Sequence, residues 1–487
     1  MTATSEIMIR NARLFDGTGA AAVVRDLSVA DGIITAIGRD LPGTAAQEMD
    51  GSGLALAPGF IDVHTHDDAM VLQPGGMEPK LSQGVTSVVT GNCGICLAPG
   101  LPEGASVPTP PLDLLGDAAA FRFPEFGDFI DALHGSGPEV NVFPLVGQTL
   151  LRLRAMDRPG RPATAAEVER MREDLARAIA GGAAGLSTGL AYPPARFAST
   201  DEILALARDV AAAGLLWTTH MRDERSGVVS AVAETLDIAR RSGVRTLISH
   251  HKCCSQAAFG LSRTTLAMIE EARKELSVGL DLYPYTASST VLLPTFARDS
   301  TKVTVTWSDP HPEMEGRDLK DIAAEWGVSQ DEALERLKPG GAIYHQMDEG
   351  DLRRIMAYPP TLIGSDGLPQ DRRPHPRLWG TFPRVLGHFA RDEAVLPLET
   401  AIAKMTGQTA ALLGLKDRGL LKPGCKADLV LFDPEQVIDR ASYAEPTLPP
   451  AGIRQVWVNG APVVEDGAYR PGRPGAGTVI GGCRAAA

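Results

Sequence analysis

The chain has 487 residues, 44% hydrophobic and 22% charged, with a formal net charge of −13. That length exceeds one ordinary domain, and the balance is that of a soluble globular protein rather than a fibrous or disordered one. The acidic total, with no basic cluster to offset it, argues against a nucleic-acid partner, although a local basic pocket still permits an anionic small molecule.

Residues 5–57 alternate as short strands around Asp31-Gly32, a hairpin turn pair. Eight short β-branched or apolar runs follow: 60–63, 86–90, 141–146, 184–189, 215–219, 246–249, 278–283 and 361–365. Helical periodicity lies between them at 165–180, 201–213, 228–241 and 264–275, with Ser199-Thr200 offering cap chemistry. A spacing of about 30 residues is the size of a βα repeat, so the expected fold is α/β, a (β/α)₈ TIM-type barrel at 58–417. The stretch 284–360 is too long for a plain connection and is expected to form an insertion or lid after the seventh strand. Strand-like texture returns at 427–433 and 455–464. Both chain ends, 1–57 and 418–480, are therefore expected to build one small β-sandwich into which the barrel is inserted.

Five of the eight runs end in a candidate metal ligand: His64 and His66, Cys93, His220, His250 and Asp366. Ligands at the carboxyl ends of parallel strands converge at a barrel mouth. Each has a plainer reading. His-X-His alone fits surface or core histidines, Cys93-Gly-Ile-Cys96 resembles a redox pair, and Asp366 in Ser-Asp-Gly fits a helix cap. The redox reading needs a second pair or a thioredoxin-like context, and neither is evident. Strand alternation puts 250 and 252 on one face and His251 on the other, so Lys252 accompanies His250. A thiolate with two imidazoles suits Zn²⁺ and leaves a position open for water, while His64, His66 and Asp366 offer a second or partly filled site. A carboxylate across the mouth can take a proton from the attacking water and pass it to a leaving amine.

These residues, in Pro58-Gly-Phe-Ile-Asp-Val-His-Thr-His66, Gly91-Asn-Cys-Gly94, His220-Met-Arg-Asp-Glu224, Ser249-His-His-Lys252 and Gly364-Ser-Asp-Gly367, carry a family resemblance. The chain resembles the N-acyl-D-amino-acid deacylases (D-aminoacylases) of the amidohydrolase superfamily over nearly its whole length. The resemblance implies one tightly held zinc on Cys93, His220 and His250, a weaker site near His64 and His66, and Asp366 as general base. It also implies that Lys252, Tyr283 and Arg377 hold the substrate α-carboxylate; from spacing alone, Tyr283 and Arg377 fit rim packing equally well. Relatives that bridge two metals with a carboxylated lysine place it on the fourth strand, and 184–189 has none.

Arg298, after the apolar stretch 291–297, suggests an acidic substrate side chain, with Tyr344 and Met347 bordering the same pocket. N-acyl-D-glutamate is thus the expected small-molecule substrate, against a solvated-loop reading of Arg298. The alternatives are apolar N-acyl-D-amino acids, a cyclic amide or D-dipeptide, and a non-catalytic scaffold. Met1–Arg10 lacks a basic or long apolar segment, so neither a signal peptide nor a membrane span is expected. Six cysteines, two of them adjacent, make a poor disulfide framework and suit a reducing cytoplasm. The oligomeric state is not legible from the chain.

Overall fold

The computed structural model describes residues 5–471 and 475–481. Eight parallel strands form the central sheet: Phe60–Asp62, Val85–Thr90, Asn141–Gly147, Gly185–Gly189, Leu216–His220, Arg245–Ile248, Val278–Leu282 and Thr361–Ile363. They pair in chain order. The first and eighth meet through one bridge, Thr65 to Gly367, supported by the Asp366 amide donating to the His64 carbonyl at 2.8 Å. Every expected barrel run is a strand, and nearly every residue in them is buried, as a parallel sheet covered by helices requires. Ile61, Val63, Phe143, Leu145, Leu216, Leu247 and Leu362 form an apolar layer with Leu413 from a later helix.

The helices begin where cap chemistry stands. Thr164 and Glu167 form a reciprocal capping box at Ala165–Ala180, and the Ser199 hydroxyl accepts from the Glu202 amide at 3.1 Å ahead of Thr200–Ala212. On Leu398–Met405, the fully buried Lys404 donates to the carbonyls of Tyr358, Pro359 and Thr361 at 2.6, 3.0 and 3.0 Å, pinning the start of the eighth strand. Lys404→Met removes all three donations and leaves the Tyr358 carbonyl only the Thr361 amide at 3.0 Å. It is expected to cost about 3 kcal/mol and lower the melting temperature by a few degrees, while kcat stays within twofold. Thermal unfolding beside steady-state kinetics checks both halves.

Both chain ends hydrogen-bond into one nine-stranded sheet. Ala55–Pro58 from the N-terminal part pairs antiparallel with Leu429–Phe432 from the C-terminal part, and Ile7, Leu27, Val29, Leu431 and Trp457 share its core. Residues 1–4 and 472–474 of this expected unit lie outside the described residues. Between the seventh and eighth strands, Ala287–Val291, Lys302–Ser308 and Gly340–His345 make a three-stranded antiparallel sheet backed by short helices, with a core of its own.

Candidate metal centre and active site

Three of the expected ligands stand in left-handed backbone: Cys93, His250 and Asp366 have φ of +54°, +36° and +52°. Residues with a Cβ rarely adopt this conformation, and where it clusters it marks functional sites. Each lies two or three residues past the end of its strand, where the chain turns into the mouth of the barrel. Gly189 makes room for the first of these turns, since a side chain there would collide with the Cys93 carbonyl.

The donors meet at the Cys93 sulfur. His64 Nε2 lies 3.2 Å from Sγ, His250 Nε2 3.4 Å and His220 Nδ1 3.8 Å. Sulfur and nitrogen ligands on one tetrahedral zinc are about 3.5 Å apart, given bonds of about 2.3 and 2.05 Å. Asp366 Oδ1 lies 3.4 Å from His64 Nε2 and 3.2 Å from His66 Nε2. His64, Cys93, His250 and Asp366 thus offer donor atoms within 4.8 Å of one another, and His220, Glu224 and His250 do the same. All are buried. In donor chemistry and spacing, the set fits a zinc-type ion.

Burial opposes ionisation of Cys93, but the charges of His64 and His250 and hydrogen bonds from His220 and His250 hold its thiol well below the ordinary range. The thiolate is the ligating form. Asp366 is likewise penalised by burial, yet Arg377, His64 and His66 hold it well below the usual carboxylate range. Arg377 Nη1 sits 2.8 Å from Asp366 Oδ2. Burial dominates at Cys96, whose thiol is pushed up to about 12; it donates to the Ala98 carbonyl at 2.9 Å and packs in the core.

Sequence reasoning missed the residues that orient these ligands. Glu224 lies 2.9 Å from His250 Nδ1, 3.4 Å from His220 Nε2 and 2.9 Å from Lys252 Nζ. A carboxylate behind a ligating imidazole fixes its tautomer and strengthens it as a donor. Asp281 takes the corresponding place behind His64, 3.5 Å from Nδ1, and accepts the His250 amide at 3.0 Å. Signals for both were present: Glu224 is four residues past His220, and Asp281 is a charge inside an apolar strand. His251 turns away to Thr265 Oγ1 at 2.8 Å, the side expected for it, although the strand ends at Ile248 and the left-handed turn at His250 sets the direction.

A partly open pocket adjoins the cluster. Lys252 and Tyr283 line it, and the Tyr283 hydroxyl is buried with no hydrogen-bond partner among the described residues. Arg377 lies behind it, its guanidinium carbon 4.5 Å from the Tyr283 ring centre. Ser288, Ser289 and Thr290 from the inserted sheet and Phe296 from the short helix after it line the pocket with Ile95, Leu114 and Leu368. The other three expected substrate contacts are placed elsewhere. Arg298 is 63% exposed and pairs with Asp331 at 2.6 Å, because its short helix turns it toward the insertion's outer side. Tyr344 is spent inside the insertion core, where its hydroxyl donates to the Val291 carbonyl and accepts the Leu293 amide, both at 2.9 Å. Met347 borders two neighbouring cavities and not this one.

A barrel whose strand ends bring a thiolate, imidazoles and one carboxylate to a single point defines a metal-dependent hydrolase. The chain belongs to the amidohydrolase family, whose model matches residues 47–252 and 314–464. It is 49% identical over 465 residues to a D-aminoacylase of Alcaligenes xylosoxydans xylosoxydans, covering 95% of each chain. It is 48% identical over 475 residues to an N-acyl-D-aspartate deacylase of the same organism, covering 97% of this chain and 95% of that one. Among solved structures, an N-acyl-D-glutamate deacylase from Bordetella bronchiseptica, complexed with zinc and a phosphonate mimic of the tetrahedral intermediate, superposes with a TM-score of 0.94. It is 46% identical, with 98% of this chain and 100% of that chain covered.

Proposed function

We propose that this protein is a zinc-dependent amidohydrolase that cleaves N-acyl-D-amino acids to a free D-amino acid and a carboxylate. The observation that carries the reading is the convergence of His64, His220 and His250 on the Cys93 sulfur, with Asp366 at the edge of the same cluster. Cys93, His220 and His250 would hold the principal ion, and His64, His66 and Asp366 a weaker second. Bound zinc supplies a Lewis acid for the amide carbonyl and lowers the pKa of water.

The chain's own residues do the rest. Lys252, the Tyr283 hydroxyl and Arg377 anchor the α-carboxylate and so set the hand of the substrate. That carboxylate competes with Asp366 for Arg377. Asp366 accepts a proton from the water attacking the amide carbon, then returns it to the departing amine nitrogen. A substrate lacking the α-carboxylate forgoes the charge-assisted bonds to Lys252 and Arg377, which stay paired with Glu224 and Asp366, and is bound more weakly.

The side chain that fits best is apolar, because Leu114, Phe296, Ile95 and Leu368 face the space and Arg298 does not. Arg298 therefore does not carry the D-glutamate preference, which rests instead on the similarity to N-acyl-D-glutamate deacylases. The two chain ends, 1–57 and 418–480, serve in this reading as a supporting domain to the barrel at 58–417, and 284–360 as its lid. Among the described residues no helix is long and apolar enough to cross a membrane, and Cys93, Cys96, Cys253, Cys254 and Cys425 are free. Free thiols suit a cytoplasmic location.

The test is hydrolysis of N-acetyl-D- and N-acetyl-L-leucine, -glutamate and -aspartate by the zinc-loaded protein. Turnover of D-substrates with leucine preferred supports the reading, whereas turnover of L-substrates alone, or of none, defeats it. Arg298→Leu is expected to leave the leucine-to-glutamate ratio of kcat/KM within about twofold, as an exposed ion pair far from a reacting centre contributes little. A specific loss on glutamate would return Arg298 to the pocket.

A further inference from the structure

Lys80 lies on the short helix Glu78–Leu81, between the first and second barrel strands, and is completely buried. A buried ammonium is costly unless paired, so its partners show what it holds. Nζ donates to Asp62 Oδ2 at 2.9 Å and to Ser365 Oγ at 2.6 Å, and lies 3.5 Å from Asp67 Oδ2. Asp62 is the last residue of the first strand, and Ser365 follows the eighth. The other Asp62 oxygen accepts the Ser365 amide at 2.8 Å and the His64 amide at 3.3 Å. Ser365 Oγ in turn accepts the Gly367 amide at 3.2 Å.

These bonds bracket Asp366 on both sides, at 365 and at 367. Its left-handed backbone, φ +52°, persists only if the surroundings over-determine it. They also cross the place where the barrel closes through a single bridge. Lys80 does not line the cavity.

We propose that Lys80, acting through Asp62 and Ser365, is a positioning residue that locks the closure of the barrel and thereby aims the Asp366 carboxylate at the metal cluster. This rests on the reading of Asp366 as base. Catalytic groups displaced by about 1 Å lose on the order of 10²-fold in rate, so the effect falls on turnover rather than on binding.

The experiment uses the zinc-loaded full chain with N-acetyl-D-leucine. Ser365→Ala is expected to lower kcat about tenfold and Lys80→Met about a hundredfold, with KM within about threefold and metal content unchanged. Lys404→Met, a second buried lysine lost far from the mouth, provides the structural control and keeps its kcat. If both variants keep kcat within twofold, or lose kcat only in proportion to their unfolded fraction, the proposal is overturned. Should Lys80→Met fail to fold, Ser365→Ala decides alone, since it removes one hydroxyl and leaves the ion pair intact. Asp366→Asn separates the two ideas. An inactive Asp366→Asn beside fully active Ser365→Ala and Lys80→Met ends this inference only, whereas an active Asp366→Asn ends the base assignment itself.

Discussion

Cys93→Ser is expected to lose bound zinc and at least about 10³-fold in kcat/KM, the largest single effect at this site. The Cys93 sulfur is the atom on which three imidazoles converge, at 3.2, 3.4 and 3.8 Å, so removing it takes out the centre of the donor set. A hydroxyl occupies nearly the same space but stays protonated near neutral pH and is a poor zinc ligand. The substitution also takes away the negative charge that lifts His64 well above its ordinary pKa despite burial. Metal analysis of purified protein beside steady-state kinetics measures both effects. A variant that keeps one equivalent of zinc and a tenth of the activity would place the essential metal elsewhere.

Asp366→Asn is expected to lower kcat by about 10³-fold while KM moves only a few-fold and zinc is retained. The amide preserves the shape of the side chain and its place beside His66 and Arg377, but it cannot accept a proton. The contrast with Cys93→Ser is the diagnostic: one variant loses the metal, the other keeps the metal and loses turnover. Retention of kcat in Asp366→Asn would show that another group moves the proton, and Glu224 would be the first to examine, since burial is outweighed there by His220, Lys252 and His250, which keep it ionised.

Much of this architecture is legible along the chain, and the reason is local. In a parallel strand buried on both faces the apolar run is short and continuous, so the first polar residue after it marks the strand's carboxyl end. That rule brings His64, Cys93, His220, His250 and Asp366 to within three residues of their strand ends, and two donor groups that share His250 contain all five. His250 and Lys252 do face away from His251, which turns to Thr265, but they lie past the end of the strand, so the turn at His250 rather than strand alternation separates them. The rule fails in the insertion between the seventh and eighth strands. Arg298 follows an apolar stretch in sequence, but its orientation depends on a short helix packed by non-local contacts, and its partner is Asp331. Tyr344 goes astray for the same reason, since its strand packs on its own small core, and Met347, two residues past that strand, borders the neighbouring cavities.

By itself the sequence determines which side chains stand at the barrel mouth, because strand period, βα repeat length and cap chemistry act over a few residues. Only the tertiary structure decides which groups stand behind them: Glu224 on two imidazoles, Asp281 on His64, Lys80 on the closure of the barrel, and a wall of apolar and hydroxyl side chains from the insertion. Those pairings join residues far apart in the chain, such as Asp62 with Ser365, and the βα period that predicts the barrel does not specify which side chains meet where it closes.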